Sequence, residues 1–176
     1  VADGHGSARN ILVEELEPRA HLNSGSPSPL AMVQGVQNGI AAAMFIGYHA
    51  RSGTPNAILD HTWSSSIIAN VWLNDQEVGE IGLNAAVCGH FQVPVIMISG
   101  DQSACAEAQE VIGALEAAVV KRATGRMAAE CLSPEAAQQE IYDAAQRAVS
   151  RLHDLIEKGG TPLLVQVDKP VTIAAE

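Results

Sequence analysis

Two uninterrupted apolar runs constrain this chain more than any other feature. Residues 40–48, Ile-Ala-Ala-Ala-Met-Phe-Ile-Gly-Tyr, and residues 93–99, Val-Pro-Val-Ile-Met-Ile-Ser, place apolar side chains at successive positions. Successive side chains of a strand point to opposite faces, so runs of this kind read as strands buried on both faces, as in a parallel sheet covered by helices. Between them, residues 67–73 read as a strand entering a turn at Asn74-Asp75-Gln76. Residues 79–91 have helical spacing through Ile81, Leu83, Ala85 and Cys88. A helix is expected after Asp101, whose side chain can accept backbone N–H bonds as an N-cap. The longest helix should start at Ser133-Pro134, with Ser as N-cap and Pro at the first helical position, and run to about Lys158, where Gly159-Gly160 end it. Residues 162–167 read as a last strand, and residues 21–29, rich in Ser, Gly and Pro, as a surface loop. Strands and helices alternate, which predicts an α/β fold with a largely parallel sheet flanked by helices, in a single domain spanning residues 1–176.

Composition narrows the class of protein. With 47% hydrophobic and 17% charged residues over 176 positions, the chain has the makings of a globular core that needs no disulfide staples. Its 20 acidic and 10 basic side chains give a formal charge of −10. The excess is spread evenly, with 3 basic and 8 acidic groups in residues 1–88 against 7 and 12 in residues 89–176. No cluster of Lys and Arg exists to displace counterions from phosphate, so a nucleic-acid partner is not expected. The longest apolar run, residues 40–46, falls far short of the ~20 residues needed to cross a bilayer, and no membrane partner is expected. Cys88, Cys105 and Cys131 are odd in number and lack C-x-x-C spacing. They read as buried thiols of a cytoplasmic protein. The sequence opens at Val1-Ala2-Asp3 with neither an initiator Met nor a signal peptide, and Val1 reads as the end of a buried strand, so a fragment of a longer chain is expected.

Ligands of open α/β sheets bind beyond the carboxyl ends of the strands. His5 follows one such end, His49 a second and Asp101 a third, while Glu80 opens a helix. Two imidazoles and a carboxylate form a common catalytic zinc set, because they leave a position open for water. Each residue also has a plainer reading. An isolated His is usually a hydrogen-bonded structural or surface group, Glu80 could serve as an acid favoured at a helix N-terminus, and Asp101 reads better as an N-cap than as a catalyst. Asp3 could orient a ligand or cap a turn. His21, His90 and His153 read as structural or surface groups. Neither G-x-S-x-G nor a complete G-x-G-x-x-G is present.

Four segments, taken together, resemble a known family: Asp3-Gly4-His5-Gly6-Ser7; Gly47-Tyr48-His49-Ala50-Arg51 with Thr54-Pro55; Asn74-Asp75 with residues 78–85; and Val95-Ile96-Met97-Ile98-Ser99-Gly100-Asp101. In order and spacing they are similar to the DppA-like zinc D-aminopeptidases, most strongly from His5 to Asp101. The resemblance implies a cytoplasmic metallo-aminopeptidase that removes the N-terminal residue, a D-amino acid, from short peptides through a metal-activated hydroxide. It further implies two zinc ions and a self-compartmentalising homo-oligomer, a decameric ring. His5, His49 and Glu80 would be metal ligands and His61 the catalytic histidine. The loop from Thr54 to His61 is one residue longer than the family pattern, which makes Asp60 a competing match. The family's S-x-D-x-E-G motif, with a bridging Asp and a further Glu, would lie upstream of Val1, and the resemblance implies a C-terminal portion that would follow Glu176. Ala- and Gln-rich positions on the long helix add low-charge surface for subunit contacts. Two other readings stand beside the peptidase: a zinc hydrolase of another small amide or phosphoester, and a non-catalytic ring-forming scaffold with an incomplete metal site.

Overall fold

In the computed structural model, which describes residues 1–176, the two apolar runs become neighbouring parallel strands, β1 (Ala43–Tyr48) and, further along, β4 (Val95–Asp101). Contacts divide the chain into two compact units, Val1–Ala41 and Ala42–Glu176. The first holds three short 3-10 turns and an isolated parallel bridge between Ala2 and Asn23. The expected strand end at Val1 is thus a single bridge, and Val1 is exposed.

The second unit is the α/β body. Its remaining elements are β2 (Val71–Leu73), β3 (Gln76–Glu77), α1 (Glu80–His90), α2 (Gln102–Ile112), β5 (Glu116–Gly125), β6 (Ala128–Cys131), α3 (Pro134–Glu157) and β7 (Ile173–Ala175). The main sheet has the order β1-β4-β5-β6, parallel except for the last pair, and a smaller antiparallel sheet has the order β3-β2-β7. Helix α3 packs small side chains, Ala144 and Ala148, against Met97 and Ala118 of the main sheet, with Ile96, Val120 and Ile141 around them. Alanines on that face let the helix approach the sheet closely, as dense core packing requires. A second core joins Val71 and Val78 to Leu83 of α1.

Local signals placed the starts of the three helices to within a residue. Asp101 caps α2 by accepting from Ala104 N–H at 2.7 Å, and Ser133 caps α3 by accepting from Ala136 N–H at 3.3 Å. Four expectations need correction. Strand β1 is not buried on both faces: it pairs with β4 alone, and Ile46 is 54% exposed. The run 67–73 is strand only from Val71, since Ile67 lies in a turn and is 81% exposed. Cys131 is exposed on β6, although Cys88 and Cys105 are buried as expected. Residues 162–167 pair with no strand. The outer edge of β5 is taken by β6, which the chain reaches by a tight turn after Gly125, and the later segment lies against α1 with the Val165 carbonyl seated at Gly89.

That close approach explains Gly89. A β-carbon there would lie 1.9 Å from the Val165 carbonyl oxygen, so the backbone itself would have to move. Gly89→Ala should cost about 1–3 kcal/mol, the range for overpacking, and should release segment 162–167 first. Urea unfolding measures the first effect and amide exchange across 162–167 the second; unaltered exchange there would contradict the contact.

Candidate metal centre

Three elements of the second unit bring His49, His61 and Glu80 together. His49 follows the end of β1, where Gly47 has φ +74 and the β1–β4 register shifts, so the chain bends out of the sheet just before the imidazole. A side chain at position 47 would be strained in that conformation, which is why glycine belongs there. The Gly47 N–H is satisfied by Ser99 Oγ at 3.0 Å. Glu80 is the first residue of α1 and is 7% exposed. His61 lies in the loop between β1 and β2.

The two imidazole rings stack, with centroids 3.8 Å apart and 17° between planes. His49 Nε2 lies 3.5 Å and His61 Nε2 3.8 Å from Glu80 Oε1. One ligand atom from each of the three residues falls within 4.8 Å of the others. The opposite ring nitrogens are committed elsewhere: His49 Nδ1 is 3.0 Å from the Ala50 carbonyl and His61 Nδ1 2.7 Å from the Leu59 carbonyl. A carbonyl only accepts, so both Nδ1 atoms carry the proton. In the neutral rings both Nε2 lone pairs therefore turn toward a carboxylate oxygen. Three acceptors converging in this way need a cation among them, either a proton or a metal ion. A backbone carbonyl on the far nitrogen is also how metal-binding histidines are commonly oriented. By chemistry and spacing the set fits a divalent metal that takes imidazole and carboxylate together.

Electrostatics point the same way. Burial pushes the His49 pKa down, but the Glu80 hydrogen bond, the Ala50 carbonyl and the charges of Glu80 and Glu107 outweigh it, and the net shift is upward. Burial pushes Glu80 up, and His49, the Trp63 N–H and the charge of His61 outweigh it, so the net shift is downward. The Trp63 N–H donates to Glu80 Oε1 at 2.8 Å. Behind the site, Tyr48 stacks on Phe45 and its hydroxyl accepts from Asn84 Nδ2 at 2.9 Å; burial pushes its pKa well up, keeping it neutral.

The other candidates have partners of their own. His5 lies in the first unit and is exposed; its carbonyl accepts from Ala8 N–H at 2.9 Å and also from Asn10 Nδ2. Asp3 caps that same turn, accepting from Asn10 Nδ2 at 2.9 Å and Ile11 N–H at 3.1 Å. Asp60 points away from the cluster, one carboxylate oxygen on Arg126 and the other on the Gly53 N–H. His90 stands edge-on to Phe91, and His153 lies beside Asp154 and Glu157. The sequence reading missed the Trp63 N–H on Glu80 and the Arg126 contact with Asp60. The first is a backbone group that any residue carries. The second joins positions 66 apart, and the Gly125-Arg126 turn could have signalled only the hairpin.

A peptidase family model described as D-aminopeptidase matches residues 1–176, and the chain belongs to that family. It is 42% identical over 171 residues to a D-aminopeptidase of Bacillus subtilis (strain 168), covering 97% of this chain and 60% of that protein. The solved structure of the Zn-dependent D-aminopeptidase DppA from Bacillus subtilis, a self-compartmentalizing protease, matches with a TM-score of 0.89 at 34% identity over 99% of this chain and 61% of the DppA chain. This chain thus spans about three-fifths of the length of the relatives it matches.

The His49–Glu80 pair has a pH signature in the metal-free protein. Glu80 contributes stability above its ordinary value of 4.5 and loses it as pH falls through the lowered folded pKa. His49 contributes fully below its ordinary value of 6.5 and loses its share as pH rises through the raised folded pKa. Urea midpoints of chelated protein should therefore plateau between those values and decline on the alkaline side. In His49→Gln that alkaline decline should disappear; its persistence would assign the decline to another group.

Proposed function

We propose that the protein is a zinc-dependent aminopeptidase that hydrolyses the N-terminal residue, a D-amino acid, of short peptides. The observation that carries this reading is the convergence of His49, His61 and Glu80 in a chain of the D-aminopeptidase family. Zinc-dependence of the DppA structure supports zinc as the ion. In this reading His49 and Glu80 are metal ligands, His5 is a further ligand on the strength of its motif, and His61 is the acid–base group. Bound zinc would polarise the scissile carbonyl and lower the pKa of a water molecule. The expected count of two ions follows from the family's upstream D-x-E motif.

The chain's own residues define what His61 can do. Its Nδ1–H is held by the Leu59 carbonyl, so Nε2 is the atom available to take a proton and return it. Stacking on His49 limits rotation of the ring and holds it beside the ligands. Glu80, kept ionised by its neighbours, supplies the negative charge that a cation at the centre requires. Self-compartmentalisation of DppA supports a homo-oligomeric assembly, a ring of ten subunits in the proposal, and the unpaired cysteines suit a cytoplasmic setting.

Two measurements test the assignment. His49→Ala and Glu80→Gln should each lower bound zinc, read by elemental analysis, and abolish release of the N-terminal residue from D-alanyl dipeptides. Normal zinc content in both would sink the ligand set. His61→Ala should keep its zinc yet lose roughly 10²–10⁴-fold in turnover, the range for acid–base catalysis. Loss of zinc would make His61 a ligand, whereas near-normal turnover would return it to a structural histidine, with Asp60→Ala as the control that should matter less.

A further inference from the structure

The loop that presents His61 is held only in part by its own bonds, such as that from Gly53 N–H to Asp60 Oδ2 at 2.8 Å. Leu59 has φ +51 and Asn56 φ +53, and Trp63, two residues past His61, has φ +58. Left-handed backbone at a bulky side chain such as Leu or Trp is unfavourable and persists only where the surroundings impose it. Two elements that follow the carboxyl ends of the neighbouring parallel strands β4 and β5 do so. At the start of α2, Asp101 Oδ2 accepts from Ile58 N–H at 2.7 Å, and Ser103 Oγ donates to the Asn56 carbonyl at 2.9 Å. In the turn between β5 and β6, the Arg126 guanidinium forks onto Asp60, with Nε donating to Oδ1 at 2.7 Å and Nη2 to the backbone carbonyl at 2.8 Å. The Arg126 carbonyl in turn accepts from Leu59 N–H at 2.8 Å. Leu59 is the residue whose carbonyl holds the His61 ring. A continuous set of hydrogen bonds therefore runs from Arg126 through Leu59 and Asp60 to the imidazole.

We propose that Arg126 is a positioning residue for His61: the β5–β6 turn clamps residues 59 and 60 from both sides and so sets the angle at which the imidazole meets His49 and Glu80. Stability is not its main contribution. The Arg126 side chain is 56% exposed although Asp60 is only 12% exposed, so solvent screens the pair from one side and limits what it adds to folding free energy. Its value is geometric, since the guanidinium addresses a carboxylate oxygen and a backbone carbonyl of one residue at once. Lysine can reach one of these acceptors but cannot reproduce the planar fork.

The consequence for rate rests on the peptidase reading, whereas the consequence for the ring does not, and the two are measured separately. In the intact protein, Arg126→Ala should retain the melting temperature and the zinc content while kcat falls on the order of 10- to 10²-fold with KM unchanged, the effect of a small misplacement of a reacting group. Arg126→Lys should recover part of the loss. In a His61→Ala background, removing Arg126 should cost nothing further, because its effect passes through the missing ring. Independently of turnover, the His61 Cε1–H resonance of protein carrying ¹³C-labelled histidine should shift in Arg126→Ala. It should stay in place in Arg147→Ala, a control guanidinium that pairs with Glu116 instead. An unmoved His61 resonance in Arg126→Ala overturns the proposal, as does an equal further loss of kcat in the His61→Ala background. A resonance that shifts in Arg126→Ala, together with wild-type protein that cleaves no peptide, would defeat the peptidase reading and support the positioning role.

Discussion

Asp101 is fully buried, and a carboxylate withdrawn from water must have its oxygens met by donors. One oxygen takes the Ala104 N–H and the other the Ile58 N–H. A single side chain thereby ends the central strand β4, starts α2 and anchors the loop that leads to His61. The charge is held by backbone amides from two segments far apart in sequence, so the strand–helix junction and the loop are fixed together. Much of the site's geometry descends from this residue, although it lies outside the metal cluster.

The site itself is built from a mixture of rigid and strained parts. Glu80 stands on the first turn of a helix and His49 on the end of a strand, both elements with their own hydrogen-bond ladders. His61 has no such support, and its loop passes through left-handed backbone at Asn56 and Leu59 before it and at Trp63 after it. Strain of this kind concentrates where a side chain must be held in one functional orientation. Here the constraint is shared among the N-terminus of α2, the β5–β6 turn and the stacking of one imidazole on the other.

The convergence of three acceptor atoms gives the centre its chemistry. Only Glu80 Oε1 also meets a donor, the Trp63 N–H; the two Nε2 atoms would be more comfortable facing solvent or a donor. Instead both Nε2 atoms face the Glu80 carboxylate, because their partner nitrogens are tied to the Ala50 and Leu59 carbonyls. Without a metal the same convergence favours a proton, and it is among the causes that raise the His49 pKa and lower that of Glu80. A metal ion would satisfy all three groups at once, with charge supplied by a carboxylate that stays ionised.

Short-range pattern in the sequence was enough to indicate the α/β class with a largely parallel sheet, the apolar runs that became β1 and β4, the caps at Asp101 and Ser133 and the start of α1 at Glu80, and it singled out His49 and Glu80 as candidates, while His61 came from the family resemblance. Periodicity and capping act over a few residues, so they can be read from neighbours alone. Tertiary structure decided what distant segments do to one another. It placed β1 with a single sheet partner, gave the outer edge of β5 to β6 and set residues 162–167 against α1. In the same way it turned Asp60 toward Arg126 and His61 toward His49. The donors and acceptors that made several of these choices are backbone groups, at Trp63, Leu59, Ile58 and Val165. Every residue type but proline carries the same pair, so no amino-acid letter could have announced them.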